Sequence, residues 1–285
     1  MGVDVPRLAL VMAAVVTLLT ACTSTPPAQV PAPAQSSSAP PPAEQVHVSI
    51  GDSYATGFGP DGTTESFAQI VAKESGFKLI NLACNGATSA DLATKPACGP
   101  DAGGKTQLDA AVEALRGKKA ALVTMVIGGN DLTPCALVQD PLDCASRTVA
   151  GIQTNVAGAL TELREAAPDV KIVGLTYPDV FLGAWVNPSF PNGKNLAQVS
   201  VTMFKDFNTR IAAQYARFGA KFADVTDATG GYGALTELAQ DPKYGQVPAS
   251  VAKVCALTHF CDRTDVHPTP AGHQAIAEAV TAASR

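Results

Sequence analysis

Short apolar runs at 46–50, 78–82, 121–127, 171–175 and 221–225, each parted from the next by an amphipathic stretch, constrain this chain more than any other feature. Residues 121–127 are apolar almost throughout, the signature of a strand buried on both faces. The intervening stretches carry helical spacing: Leu108, Val112 and Leu115 fall on one face of a helix expected over 106–115. Further helices are expected over 65–75, 144–166, 196–218 and 269–283. Pro168 closes 144–166, Gly219 caps 196–218 and Pro270 sits in the first turn of 269–283. Strands alternating with helices predict a three-layer α/β/α sandwich around a central, mainly parallel five-stranded sheet of flavodoxin-like type. In such sheets ligands and chemistry collect beyond the carboxyl ends of the strands, so those ends are where candidate residues belong.

The first 45 residues do not fit this pattern. Residues 1–22 read as an export signal: Arg7 precedes an apolar run over 8–19, too short for a spanning helix of about 20 residues. The run ends in Leu19-Thr20-Ala21-Cys22, which looks like a lipobox whose Cys22 is lipidated and becomes the mature amino terminus. Residues 23–45 are rich in Pro, Ala and Ser and read as an extended linker holding a domain of residues 46–285 off a membrane. Exported, membrane-attached placement at the cell envelope is therefore expected.

The remaining cysteines are Cys84, Cys98, Cys135, Cys144, Cys255 and Cys261. An even number in an exported chain implies disulfides. Locality favours Cys84–Cys98, Cys135–Cys144 and Cys255–Cys261, although Cα separations decide the pairing. A net charge of -5 without a Lys/Arg cluster excludes a nucleic-acid footprint. No metal-ligand spacing and no nucleotide-binding glycine motif occurs, so no metal and no cofactor are expected. A monomer is expected.

Several residues stand at the ends of the expected strands. The first strand runs into Gly51-Asp52-Ser53-Tyr54, placing a hydroxyl at the sheet's functional edge. The second leads to Cys84-Asn85-Gly86-Ala87-Thr88, and the third to Gly128-Gly129-Asn130-Asp131. Just before the last helix stands Asp265-Val266-His267-Pro268. Of the four histidines, His47 and His273 fall within regular elements and His259 within the Cys255–Cys261 stretch. Only His267 lies in a loop beside a carboxylate. Taken singly, each of these is an ordinary turn or cap.

As an ordered set, Gly51-Asp52-Ser53, Gly86, Gly128-Gly129-Asn130-Asp131 and Asp265-Val266-His267-Pro268 resemble the four blocks of the SGNH (GDSL) hydrolases. The local cysteine pairs are similar to those of the secreted bacterial lipases and esterases of that family. The resemblance implies an acyl-ester substrate, Ser53 as nucleophile and His267 as its base. It also implies an oxyanion hole from the Ser53 and Gly86 N–H groups and the Asn130 amide. One position departs from the family: three residues before the histidine, where Asp is usual, stands Thr264. Asp265 is the favoured orienting acid. The Thr264 carbonyl, as in a Ser–His dyad, and Asp262 are the alternatives. Asp52 and Asp131 are expected to cap nearby N–H groups. An apolar wall for an acyl chain is expected over 177–192, from Phe181, Leu182, Trp185, Val186 and Phe190, against the plainer reading of loop packing. The expected activity is that of a carboxylesterase or lipase. An envelope polysaccharide O-deacetylase, an acyltransferase and a non-catalytic lipid- or glycan-binding lipoprotein are the alternatives.

Overall fold

The structure, a computed structural model, describes residues 45–117, 119–137 and 139–285. The expected export signal, Cys22 and the linker as far as residue 44 lie outside the described residues.

Five strands form one sheet: β1 (Gln45–Gly51), β2 (Lys78–Asn81), β3 (Lys119–Val126), β4 (Lys171–Leu175) and β5 (Lys221–Ala223). Every pairing is parallel and the order across the sheet is β2-β1-β3-β4-β5. The chain leaves β1 for β2 on one side and then crosses to β3 on the other. The crevice beyond β1 and β3 is thus the topological switch point, where doubly wound sheets place their sites.

The principal helices are α1 (Phe67–Ser75), α2 (Gln107–Gly117), α3 (Pro141–Ala166), α4 (Gly193–Arg217) and α5 (Pro270–Ala283). On α1, Ser66 and Gln69 form a reciprocal capping box, and Thr269 caps α5 through the N–H of Gly272. Two buried clusters lie on the two faces of the sheet. Val46, Val48 and Ile50 alternate onto one, with Val123, Met125, Leu160 and Ile211. Leu122, Val126 and Val173 join the other, with Phe67, Ile276 and Val280. On β1 the residues between the valines are polar yet fully buried. His47 Nε2 lies 2.8 Å from Thr124 Oγ1, which donates to Ser49 Oγ at 3.2 Å, so these three side chains form a buried polar chain across neighbouring strands. Burial pushes the His47 pKa down to about 4, because the charged ring would lose its hydration.

The expected cysteine pairs are joined, with Cα separations of 5.2 Å for Cys84–Cys98, 5.5 Å for Cys135–Cys144 and 5.3 Å for Cys255–Cys261. Between β5 and α5 the chain adds a hairpin of Leu238–Asp241 with Gly245–Pro248, followed by a helix over Ala249–Leu257. Val251 and Val254 of that helix pack with Leu182 and Ala197 as a satellite core.

Candidate active site

The carboxyl end of β1 is built around close backbone approach. Gly51 has φ +135°, and a Cβ there would stand 2.0 Å from the Val126 carbonyl oxygen of β3. Only glycine lets the strand ends come this near. The buried Gln107 side chain then clamps the Gly51 peptide from both directions. Its Oε1 accepts from Gly51 N–H at 2.7 Å and its Nε2 donates to the Gly51 carbonyl at 3.0 Å. The next residue, Asp52, donates its N–H to Val126 and caps the turn Ser53–Thr56 by accepting from Tyr54 N–H at 3.0 Å. Ser53 thus leaves a fixed strand end as the first residue of a helical turn.

The Ser53 hydroxyl lies 2.9 Å from His267 Nε2, across 214 residues of chain. His267 Nδ1 lies 2.9 Å from Asp265 Oδ1, and the same oxygen accepts the His267 backbone N–H at 2.9 Å. Nδ1 therefore carries the ring proton, Nε2 has the lone pair, and the Ser53 O–H donates to it. Of the sequence alternatives, Asp262 is engaged elsewhere, with Lys243 and Tyr244. The Thr264 hydroxyl accepts from Asn187 at 3.0 Å, and the partner of His267 Nδ1 is the Asp265 carboxylate rather than the Thr264 carbonyl. Thr264 also explains how an acid two residues before the histidine reaches the ring. With φ +56° it is the one non-glycine residue in the left-handed region among the described residues. That conformation is costly for a β-branched side chain and is held by its surroundings. The reversal it makes lets Asp265 fold back in an Asx-type turn onto His267.

The histidine loop is braced at several points. The Tyr54 hydroxyl donates to the Val266 carbonyl at 2.5 Å, and His259 N–H donates to the His267 carbonyl at 3.1 Å. Asn187 donates to the Phe260 carbonyl at 2.6 Å, and the Cys255–Cys261 bridge spans the segment just before it. The His267 side chain keeps 15% exposure, Asp265 25%, and Ser53 is buried.

The two remaining loops converge on the same edge. Cys84 N–H donates to the Gly51 carbonyl, which ties the loop 84–88 to the end of β1. Asn130 Nδ2 donates to the Ala87 carbonyl at 2.9 Å, placing its amide against the Gly86–Ala87 turn with its second N–H uncommitted to Ala87. No partner is paired with the N–H groups of Ser53 or Gly86 among the described residues. Asp131 caps no turn of its own. It accepts from both the N–H and the hydroxyl of Ser89, at 2.8 and 2.6 Å, and so fastens the third loop to the second.

Two further residues matter here that carried no motif. The Tyr177 hydroxyl donates to Asp52 Oδ2 at 2.5 Å and accepts from Gly129 N–H at 2.9 Å. A Cβ on Gly129 would come within 2.9 Å of the Tyr177 ring, so glycine is required for this approach. Tyr177 thereby joins the serine turn to the Asn130 turn. Burial raises the Asp52 pKa to about 7, partly offset by the hydrogen bonds from Tyr177 and Tyr54. Gln107 is the second such residue.

The stretch 177–192, expected to offer an apolar wall or plain loop packing, sets its large side chains half-buried against two small cores. Phe181 and Phe190 set their rings against Phe260 at 5.7 and 5.4 Å, while Trp185 and Val186 cover the satellite core around Leu182. His273 is buried in α5, and His47 sits within β1.

Comparison with known proteins gives one consistent result. The sequence profile of the GDSL-like Lipase/Acylhydrolase family matches residues 49–275. No curated protein matches the chain. Among solved structures, an extracellular lipase of Streptomyces rimosus is 20% identical with a TM-score of 0.58, over 85% of this chain and 100% of that one. A phospholipase A1 of Streptomyces albidoflavus NA297 is 18% identical with a TM-score of 0.51, over 85% and 100%. The lipase Lip_vut3 from a goat rumen metagenome is 19% identical with a TM-score of 0.52, over 85% and 97%. At these identities the likeness is one of fold.

Proposed function

The chain belongs to the GDSL-like lipase/acylhydrolase family, and from that premise we propose that it is a serine carboxylesterase working through an acyl-enzyme on Ser53. The observation that carries the reading is the run of contacts Ser53 Oγ–His267 Nε2–Nδ1–Asp265, at 2.9 Å each. In the first step the Ser53 oxygen bonds to the ester carbonyl carbon while Nε2 takes its proton. The carbonyl oxygen becomes an oxyanion, for which the N–H groups of Ser53 and Gly86 and the Asn130 amide are the donors. The C–O bond to the alcohol then breaks, and Nε2 passes its proton to the leaving oxygen. Water then bonds to the acyl carbon while Nε2 takes its proton, the bond from that carbon to the Ser53 oxygen breaks, Nε2 returns the proton to Ser53, and the acid departs. Asp265 holds the ring in the required tautomer and stabilises its charged form. Neutral donors suit this chemistry, because they stabilise a transient anion without trapping it.

The proposal extends to location: export, and lipid attachment at Cys22. Three disulfides support an oxidising compartment. Labelling of Cys22 by a fed alkynyl fatty acid, lost in Cys22→Ala, tests attachment.

The test of the activity is a p-nitrophenyl ester panel from C2 to C16, run on wild type and Ser53→Ala. Turnover that disappears with Ser53 is expected. Equal turnover in both proteins, or none on any chain length, would sink the esterase reading.

A further inference from the structure

Phe181 and Trp185 are half-buried against clusters of their own, around Phe260 and Leu182. Among the described residues the exposed large apolar side chains are Phe58, Val199, Leu238 and Val266. Two of these four adjoin the histidine. Val266 precedes it in the chain and is 42% exposed, and Phe58 is 37% exposed with its ring 5.0 Å from the His267 ring, edge to face. Phe58 belongs to a small hairpin, Phe58–Gly59 paired with Gly62–Thr63, which follows directly on the Ser53 turn. Asp61 at the hairpin's tip pairs with Arg263, just before the histidine loop, at 2.6 Å. The hairpin and the histidine loop are thus pinned together, with the Phe58 ring set against His267 and the exposed Val266 next to it in the chain.

The reaction assigns this position to one half of the ester. Nε2 must reach two oxygens in turn: that of Ser53, whose proton it takes, and that of the alcohol, to which it returns the proton as the C–O bond breaks. The alcohol oxygen therefore lies at the histidine. The oxyanion points the other way, toward Gly86 and Asn130. Whatever is attached to the alcohol oxygen leaves the site past Phe58 and Val266.

Resting on the serine-esterase reading, we propose that Phe58 and Val266 are specificity-determining residues for the alcohol half of the substrate, and that the enzyme selects esters of apolar alcohols by contact at this rim. The acyl half is read elsewhere.

The test uses two ester series on the full-length protein. One holds the acyl group as acetyl and lengthens the alcohol from ethyl to hexyl. The other holds the alcohol as p-nitrophenol and lengthens the acyl chain from C2 to C8. The quantity compared is kcat/KM, which reports the steps up to loss of the alcohol. A methylene moved from water onto a half-exposed apolar rim is worth about twofold, so wild type should gain on the order of tenfold from ethyl to hexyl. Phe58→Ala and Val266→Ser should each flatten that rise, and Phe58→Leu should keep most of it. Within each variant the slope along the series is compared, so a general loss of activity from disturbing His267 cancels. The acyl series should keep its slope in all variants. A flat alcohol series in wild type overturns the inference alone, as does a slope that survives both substitutions or a loss confined to the acyl series. Absence of Ser53-dependent turnover on every ester overturns the esterase reading and takes this inference with it.

Discussion

Removing the Asp265 carboxylate tests the least expected part of the site. Its Oδ1 accepts two N–H groups of His267, the backbone one and the ring one, both at 2.9 Å. The backbone bond is the same before and during reaction, so it shapes the loop. The ring bond strengthens when the imidazolium forms. Opposite charges about 4 Å apart near a protein surface interact by about 4 kcal/mol at an effective dielectric of 20. Asp265 keeps 25% exposure and His267 15%, so water screens part of this. A loss of about 2–3 kcal/mol remains, or roughly 30- to 200-fold in kcat/KM. Asp265→Ala should show that loss on a short-chain ester, with a melting temperature near that of wild type. Asp265→Asn keeps an acceptor for the backbone N–H without the charge and should fall between. A loss under about threefold in Asp265→Ala would refute the orienting role and return it to the Thr264 carbonyl.

Two other perturbations follow from the buried polar groups. Gln107→Leu leaves the Gly51 N–H without its acceptor and the Gly51 carbonyl with Cys84 N–H alone, and should cost about 1–3 kcal/mol in urea denaturation; a change below about 0.5 kcal/mol would contradict the clamp. The pH dependence of stability rests on an offset. Burial pushes Asp52 and Asp179 up to about 7, and pushes His47 and His273 down to about 4. Between about pH 4 and 6.5 the folded protein holds protons on both carboxyls that the unfolded chain lacks. The unfolded chain holds protons on both histidines that the folded protein lacks. These cancel, so the four groups together leave stability level there. His273→Met removes one side of the balance, and stability should then fall as pH rises through that window, by about 1.4 kcal/mol per unit relative to wild type. Denaturant titrations at pH 4.5 and 6 decide it, and a level or rising difference would contradict the assignment.

The sheet is legible in the sequence because its strands are short apolar runs and its helices show a 3.6-residue period. Lys171–Leu175 has the bounds its sequence predicts, and the other strands differ by one to two residues at an end. The hairpin Leu238–Asp241 with Gly245–Pro248 escapes such reading, since Leu-Ala-Gln-Asp and Gly-Gln-Val-Pro show neither alternation nor β-branched enrichment. Ser53 and His267 stand out because each sits where the chain leaves a regular element or enters one. Choosing among Asp265, Thr264 and Asp262 needs the left-handed turn at Thr264, which threonine does not advertise. Gln107 and Tyr177 carry no motif, because their task is to satisfy backbone and carboxylate atoms brought near only by folding. The aromatic stretch around Trp185 is ambiguous for the opposite reason: its composition suits a ligand wall and a core equally, and only folding brings Phe181 and Phe190 against Phe260.

The central claim is that Ser53 is an activated nucleophile. Its most direct measurement is reaction of the folded protein with a fluorophosphonate, followed by peptide mass spectrometry. One adduct on Ser53 is expected, absent in Ser53→Ala and formed far more slowly in His267→Ala. An unlabelled Ser53 in folded protein, or labelling whose rate ignores His267, would contradict it.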